Sequence, residues 1–144
     1  MNTNDLIQLL YDQIPTAKFM EVKAHSLDEN QVTLSCPLRP NHNHLGTAFG
    51  GSLSTMLILA AYSMTYKMIE GKGHVLIKSS EVDYTLPVQE EIIAVSLAPE
   101  ESKKKKFLET FNRKGKAKIT LKSYIFLKNG TKACTMSAEM VAIS

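Results

Sequence analysis

The chain has 144 residues, a length that suits one domain of ordinary size. Hydrophobic residues make up 44% of it, enough to build a core and too many for a disordered segment. Net charge is +3 but unevenly spread: residues 1–100 carry 6 basic and 11 acidic side chains, residues 101–144 carry 11 and 3. A cationic end of this kind suits a polyanionic partner, whether nucleic acid, acidic lipid or a phosphate-bearing molecule.

The opening stretch MNTNDLIQLLYDQIP has no basic leader and no small-residue cleavage site, so it does not read as a signal peptide. Thr3 or Asn4 is expected to cap a first helix in which Leu6, Ile7, Leu10 and Ile14 recur at helical spacing, with Pro15 closing it. Residues 19–27 and 31–36 alternate apolar and polar about the turn LDEN, which predicts a hairpin.

The stretch NHNHLGTAFGGSLSTML, residues 41–57, comes next, and it opens a helix expected over 51–69. The uncharged run from Leu45 to Tyr66 is broken by Ser, Thr and a Gly-Gly pair. It therefore predicts a helix buried in protein, with no membrane insertion. At about 100° per residue Ser52, Thr55, Tyr62, Ser63 and Tyr66 share one side, and Leu57, Ala61, Met64 and Met68 the other. Those hydroxyls can face a pocket or a second subunit, or bond the helix's own carbonyls.

GKG at 71–73 ends the helix, and strands are expected over 74–86 and 91–98. A charged segment beginning at Pro99 predicts a short helix. Residues 116–127 form a strand with Ala117, Ile119, Leu121, Ile125 and Leu127 on one face and Lys116, Lys118 and Lys122 on the other. Asn129-Gly130 is a hairpin turn, and Cys134, Met136, Ala138, Met140 and Ala142 point inward from the last strand. The sum is an α+β chain, about six antiparallel strands packed on one long helix, read as a single domain over 1–144.

Cys36 and Cys134 sit in alternating apolar patterns with no metal-like spacing, as buried thiols of a reducing, cytoplasmic compartment do. His42 and His44 lack the further ligands a zinc site needs, so no metal site is read here, and either is a better candidate for a general base. Lysines 103–106 form a solvated run or a phosphate-binding segment. No aromatic residues interleave with them, which argues against nucleic acid.

The order of elements resembles the hotdog fold, a sheet of about six antiparallel strands wrapped around one long helix. More narrowly, PLRPNHNHLGTAFGGSLSTMLILAAY followed by VDYTLPV resembles the YiiD-type C-terminal thioesterase domain. The resemblance implies a homodimer or dimer of dimers that binds acyl-CoA or acyl-carrier-protein thioesters between subunits, with no cofactor. Hotdog thioesterases carry N-x-x-G-T-x-x-G-G before the helix, matched here by Asn43, Gly46, Thr47, Gly50 and Gly51. By that resemblance Asn43 positions water or substrate, and a backbone N–H of Gly50 or Gly51 polarises the thioester carbonyl. Gly46, Thr47, Phe49, Ser52 and Thr55 are expected to border the substrate.

Helix physics supports the carbonyl role independently. First-turn N–H groups are unpaired and carry partial positive charge, suited to a developing oxyanion. Two departures stand out. Phe49 occupies the position often held by His, and Ile58 the position often held by the catalytic acid; the helix has no acid before Glu70. The base is then expected from elsewhere, across the dimer, with Asp83 and Glu81 on one strand face beside VDYTLPV as the first candidates. The implied activity is acyl thioester hydrolysis; the alternative is a non-catalytic hotdog module that binds acyl thioesters or scaffolds a partner.

Overall fold

The computed structural model describes residues 1–144. Helix α1 spans Thr3–Gln13, and its cap is Asn2, one residue before the expected Thr3 or Asn4. Asn2 accepts from the Asp5 N–H while the Asp5 carboxylate accepts from the Asn2 N–H, a reciprocal capping box. Pro15 ends α1 as expected and also starts a second helix that the sequence reading missed, α2 (Pro15–Phe19). Proline's fixed φ and missing N–H suit the first position of a helix, where no acceptor is needed. The first strand consequently begins at Lys23 rather than at residue 19: β1 is Lys23–Leu27 and β2 is Gln31–Cys36, paired as the predicted hairpin.

The long helix α3 runs Gly50–Met68, followed by β3 (His74–Tyr84) and β4 (Ile92–Leu97). The charged segment is a full helix of 14 residues, α4 (Glu101–Lys114), longer than predicted. Phe107 and Phe111, one turn apart, bury their rings in the core and anchor it. Strands β5 (Lys116–Phe126) and β6 (Lys132–Ile143) close the chain.

All six strands join one antiparallel sheet in the order β1-β2-β4-β5-β6-β3, and α3 packs across the face formed by β2 to β6. This is the hotdog arrangement. Its core is continuous: Met56, Leu57, Ala60, Ala61 and Met64 of α3 meet Leu34, Ala94, Leu121, Met136 and Met140 of the sheet. Alternation holds along β5 and β6, where every second residue is buried and the lysines between face outward, because only one side of the sheet is covered. No helix is long and apolar enough to cross a membrane.

Candidate active site

Two segments hold the start of α3 in place. Asn41 is 3% exposed, and its Nδ2 donates to the carbonyls of Met20 (3.0 Å) and Pro37 (2.9 Å). Its own carbonyl accepts the Phe49 N–H at 2.8 Å, and the Ala48 N–H reaches Val88 O at 2.8 Å. The loop therefore enters the helix from an anchored backbone. Nothing in the sequence pattern singled out Asn41; its role depends on carbonyls 4 and 21 residues away.

Asn43 organises the loop from inside. Its Oδ1 accepts from the N–H groups of Leu45 (2.9 Å) and Thr47 (3.2 Å), and its Nδ2 donates to Thr47 Oγ1 at 2.7 Å. The Asn43 N–H donates to Thr47 O, and the Gly46 N–H to Asn43 O. Gly46 and Thr47 are thus the partners that fold Asn43 into a closed turn. The second amide hydrogen of Asn43 has no partner within the chain.

Phe49 precedes the first turn of α3, and no side chain caps the helix. The N–H groups of Ser52 and Leu53 donate to Phe49 O, whereas those of Gly50 and Gly51 have no acceptor. Two free donors at a helix start form an anion-binding point. The exposed Phe49 ring folds over Gly51, where an added methyl would lie 2.5 Å from it. A side chain there would have to displace the exposed ring. Tyr84, at the end of β3, flanks the other glycine; a methyl on Gly50 would stand 3.9 Å from its ring.

The serine and threonine hydroxyls of α3 divide between the two readings of the stripe. Thr55 Oγ1 and Ser54 Oγ donate to Gly51 O, and the fully buried Ser63 donates to Leu59 O, so these satisfy the helix's own backbone. Ser52 makes no side-chain hydrogen bond. Tyr62 and Tyr66 stack with centroids 6.1 Å apart and line a groove of about 830 Å³. Burial, and next the neighbouring Tyr66, hold the Tyr62 phenol above its ordinary pKa. Ile58 shares that groove, with Leu9 and Ile14 on one side and Val75 and Ile77 on the other. Gly71 turns the chain at φ +69°, the left-handed region that favours glycine, and an added Cβ there would stand 3.0 Å from the Tyr66 hydroxyl.

Asp83 lies away from the glycine turn of its own chain. It pairs in register with Thr135, and Glu81 with Ser137, positions that alternate with the buried Cys134, Met136 and Ala138. Both carboxylates therefore stand on the sheet face turned away from α3, because strand alternation puts Tyr84 at the helix start and its neighbour outside. Within one chain the structure brings Asn43, Gly46, Thr47, Phe49, Gly50, Gly51, Ser52 and Thr55 together and leaves Asp83 out. Tyr84 and the groove are the features that the motif reading missed, although Tyr84 lies inside VDYTLPV.

The two cysteines are poor nucleophiles. Burial, with Glu91 adding repulsion, pushes the Cys36 thiol up to about 12, and burial pushes Cys134 up to about 11. His42 and His44 are exposed on the loop, and no three His, Cys, Asp or Glu side chains gather as a metal-ligand set.

The sheet wrapped around α3 defines a hotdog-fold protein. The family described as "Putative thioesterase (yiiD_Cterm)" matches residues 3–143, and the chain belongs to it. Among solved structures it is similar to a protein of unknown function from Chlorobaculum tepidum, at TM-score 0.89 and 26% identity, covering 99% of this chain and 94% of that one. It is also similar to the "putative thioesterase" of Shewanella oneidensis, at TM-score 0.87 and 23% identity over 99% and 97% of the two chains. A "Probable Thioesterase" of Pseudomonas aeruginosa aligns at TM-score 0.85 and 18% identity over 100% and 97%. No curated protein matches.

Proposed function

We propose that the chain hydrolyses acyl thioesters of CoA or of acyl-carrier protein in the cytoplasm, with residues 1–144 working as one domain and two copies forming the site. The observation that carries this reading is the pair of free N–H groups at Gly50 and Gly51. They are aimed where the carbonyl oxygen gains charge as water attacks, and such donors contribute only when that charge develops. Asn43 is a positioning residue: it holds the loop and offers its remaining amide hydrogen to the substrate.

The second copy is argued from β3. That strand has 11 residues and pairs only with β6, leaving its other edge open along its whole length. Leu76 on it is 57% exposed. Long, open, partly apolar edges attract another strand, and a two-fold pairing of β3 with its copy closes both edges at once. Because α3 runs antiparallel to β3, with Gly50 beside Tyr84 and Tyr66 beside Val75, the same two-fold sets the glycine turn of one copy against the groove of the other. The acyl chain then enters that groove.

Helix α3 offers no acid, so the loop imidazoles of His42 and His44 are the proposed bases. The acid-free helix also supports the alternative of a module that binds thioesters without cleaving them. Thiol release from short, medium, long and aromatic acyl-CoA and acyl-carrier-protein substrates separates the two. Hydrolysis that shows a chain-length preference and is lost in His42→Ala or His44→Ala supports the imidazole reading. Saturable binding with no thiol released from any of them leaves the binding module.

A further inference from the structure

The groove beside α3, of about 830 Å³, is lined by apolar side chains and glycines except for Gln13, Tyr62, Tyr66 and His74. No Lys, Arg, Asp or Glu lines it. Of the five tyrosines of the chain, Tyr11 alone commits its hydroxyl to the protein, donating to Val22 O at 2.8 Å. The Tyr62 and Tyr66 hydroxyls have no partner within the chain. Their rings stand one helical turn apart and nearly parallel, at 14°, so both phenols leave the same face of α3.

Each phenol has an ordinary explanation taken singly: a tyrosine beside a cleft packs its ring and turns its hydroxyl to water. Water serves as that partner only while the groove stands open. An acyl chain that fills the groove expels it, and a plain alkyl chain offers nothing in exchange. Phenylalanine at both positions would suit such a chain better. Burial, and after it the neighbouring Tyr66, already holds the Tyr62 phenol above its ordinary pKa, so it meets a ligand as a neutral O–H that both donates and accepts. The matching ligand group is a hydroxyl, which also does both. A carboxylate finds no lysine or arginine in the lining to pair with.

We propose that Tyr62 and Tyr66 set the acyl specificity of the groove, and that it takes an acyl chain carrying a hydroxyl beyond its thioester carbon. The assignment rests on the thioesterase reading. Ile58, Val75 and Ile77 supply the apolar walls for the methylene part of such a chain, and the two phenols, with the Gln13 amide from α1, supply the hydrogen bonds for its hydroxyl. Tyr62 and Tyr66 are specificity residues and take no part in cleaving the bond.

The test is thiol release from medium-chain acyl-CoA esters in matched pairs, each plain chain beside counterparts hydroxylated at mid-chain or at the terminal carbon. Wild type is compared with the double variant Tyr62→Phe/Tyr66→Phe, which removes two oxygens and keeps both rings. Tyr124→Phe is the control, since that ring lies under Lys132 and outside the groove. We expect kcat/KM for a hydroxylated ester to exceed that of its plain partner by at least about tenfold, because a site built to bond a hydroxyl rejects the analogue lacking it. The ratio should fall towards one in the double variant and persist in the control. Equal kcat/KM across every pair, or a ratio that survives the double substitution, overturns the assignment and leaves the hydrolase standing. If no ester releases thiol, titration calorimetry with the matched free acids decides. Tighter binding of a hydroxy acid, lost in the double variant, keeps the selection and removes the hydrolase; equal binding, or none, overturns both.

Discussion

Strands β3 and β6 are neighbours of nearly equal length, paired residue against residue, and their fates differ. In β6, held between β5 and β3, Cys134, Met136, Ala138, Met140 and Ala142 are all sealed in the core. In β3 only Val75 is buried, and even Leu76 and Ile77 stay open to solvent. Composition does not separate them, since both mix apolar, serine and charged residues. Neighbours do: α3 packs on both, but β6 has a strand on each side, whereas β3 has a strand on one side only and an open groove beside it. Exposure on β3 is what an open sheet edge leaves, the edge on which the proposed second copy would pair, and the glycine turn of α3 lies at its end.

The sharpest way to break this comparison is to charge the middle of β3. Ser80 lies near the middle of β3, so in a two-fold pairing centred on that strand Ser80→Glu sets like charges against each other, at a cost of several kcal/mol. Sedimentation should then report a monomer, and turnover should fall with the loss of dimer. The matched change on β6, Ser137→Glu, adds the same charge at an exposed position of the outer face and should leave the mass unchanged. A monomeric wild type, or a Ser80→Glu dimer of full activity, would remove β3 from the site.

A smaller effect comes from the interior side. The Cys134 thiol ionises near 9 when free and is held to about 11 by burial. Between those values the unfolded chain gives up a proton that the folded chain keeps, so this contribution to stability is complete below pH 9 and declines as pH rises towards 11. Cys36, held to about 12, acts in the same direction. Urea midpoints should drop between pH 8 and pH 10.5, and Cys134→Ala should flatten the decline while lowering the starting stability. A midpoint that rises across this range would contradict the buried assignment.

Much of the fold could be read from the sequence because it rests on local periodicity. The alternation in β5 and β6, the Asn129-Gly130 turn and the apolar circumference of α3 each reflect a local rule. Helix α2 was missed because Pro15 serves as both a stop and a start. The length of α4 was missed because Phe107 and Phe111 stabilise it through tertiary burial rather than through its charged sequence. At the site, the glycine turn was legible because its chemistry is backbone chemistry. The work of Asn41 and the nearness of Tyr84 to Gly50 depend on segments far apart in the chain. Asp83 stands away from the turn of its own chain because, in a strand, the residue next to Tyr84 faces the other side.

The central claim is that a bare N–H at the start of α3 holds the reacting carbonyl. Gly50→Pro tests it most directly. Gly50 is the first residue of the helix, where proline is well tolerated, and Phe49 before it is already extended at φ −66° and ψ 135°. The substitution deletes the donor and preserves the backbone path. We expect an unchanged or slightly raised Tm and an unchanged sedimentation profile, with kcat lowered by about 10²–10³. A folded, dimeric Gly50→Pro protein that releases thiol at the wild-type rate would contradict the account.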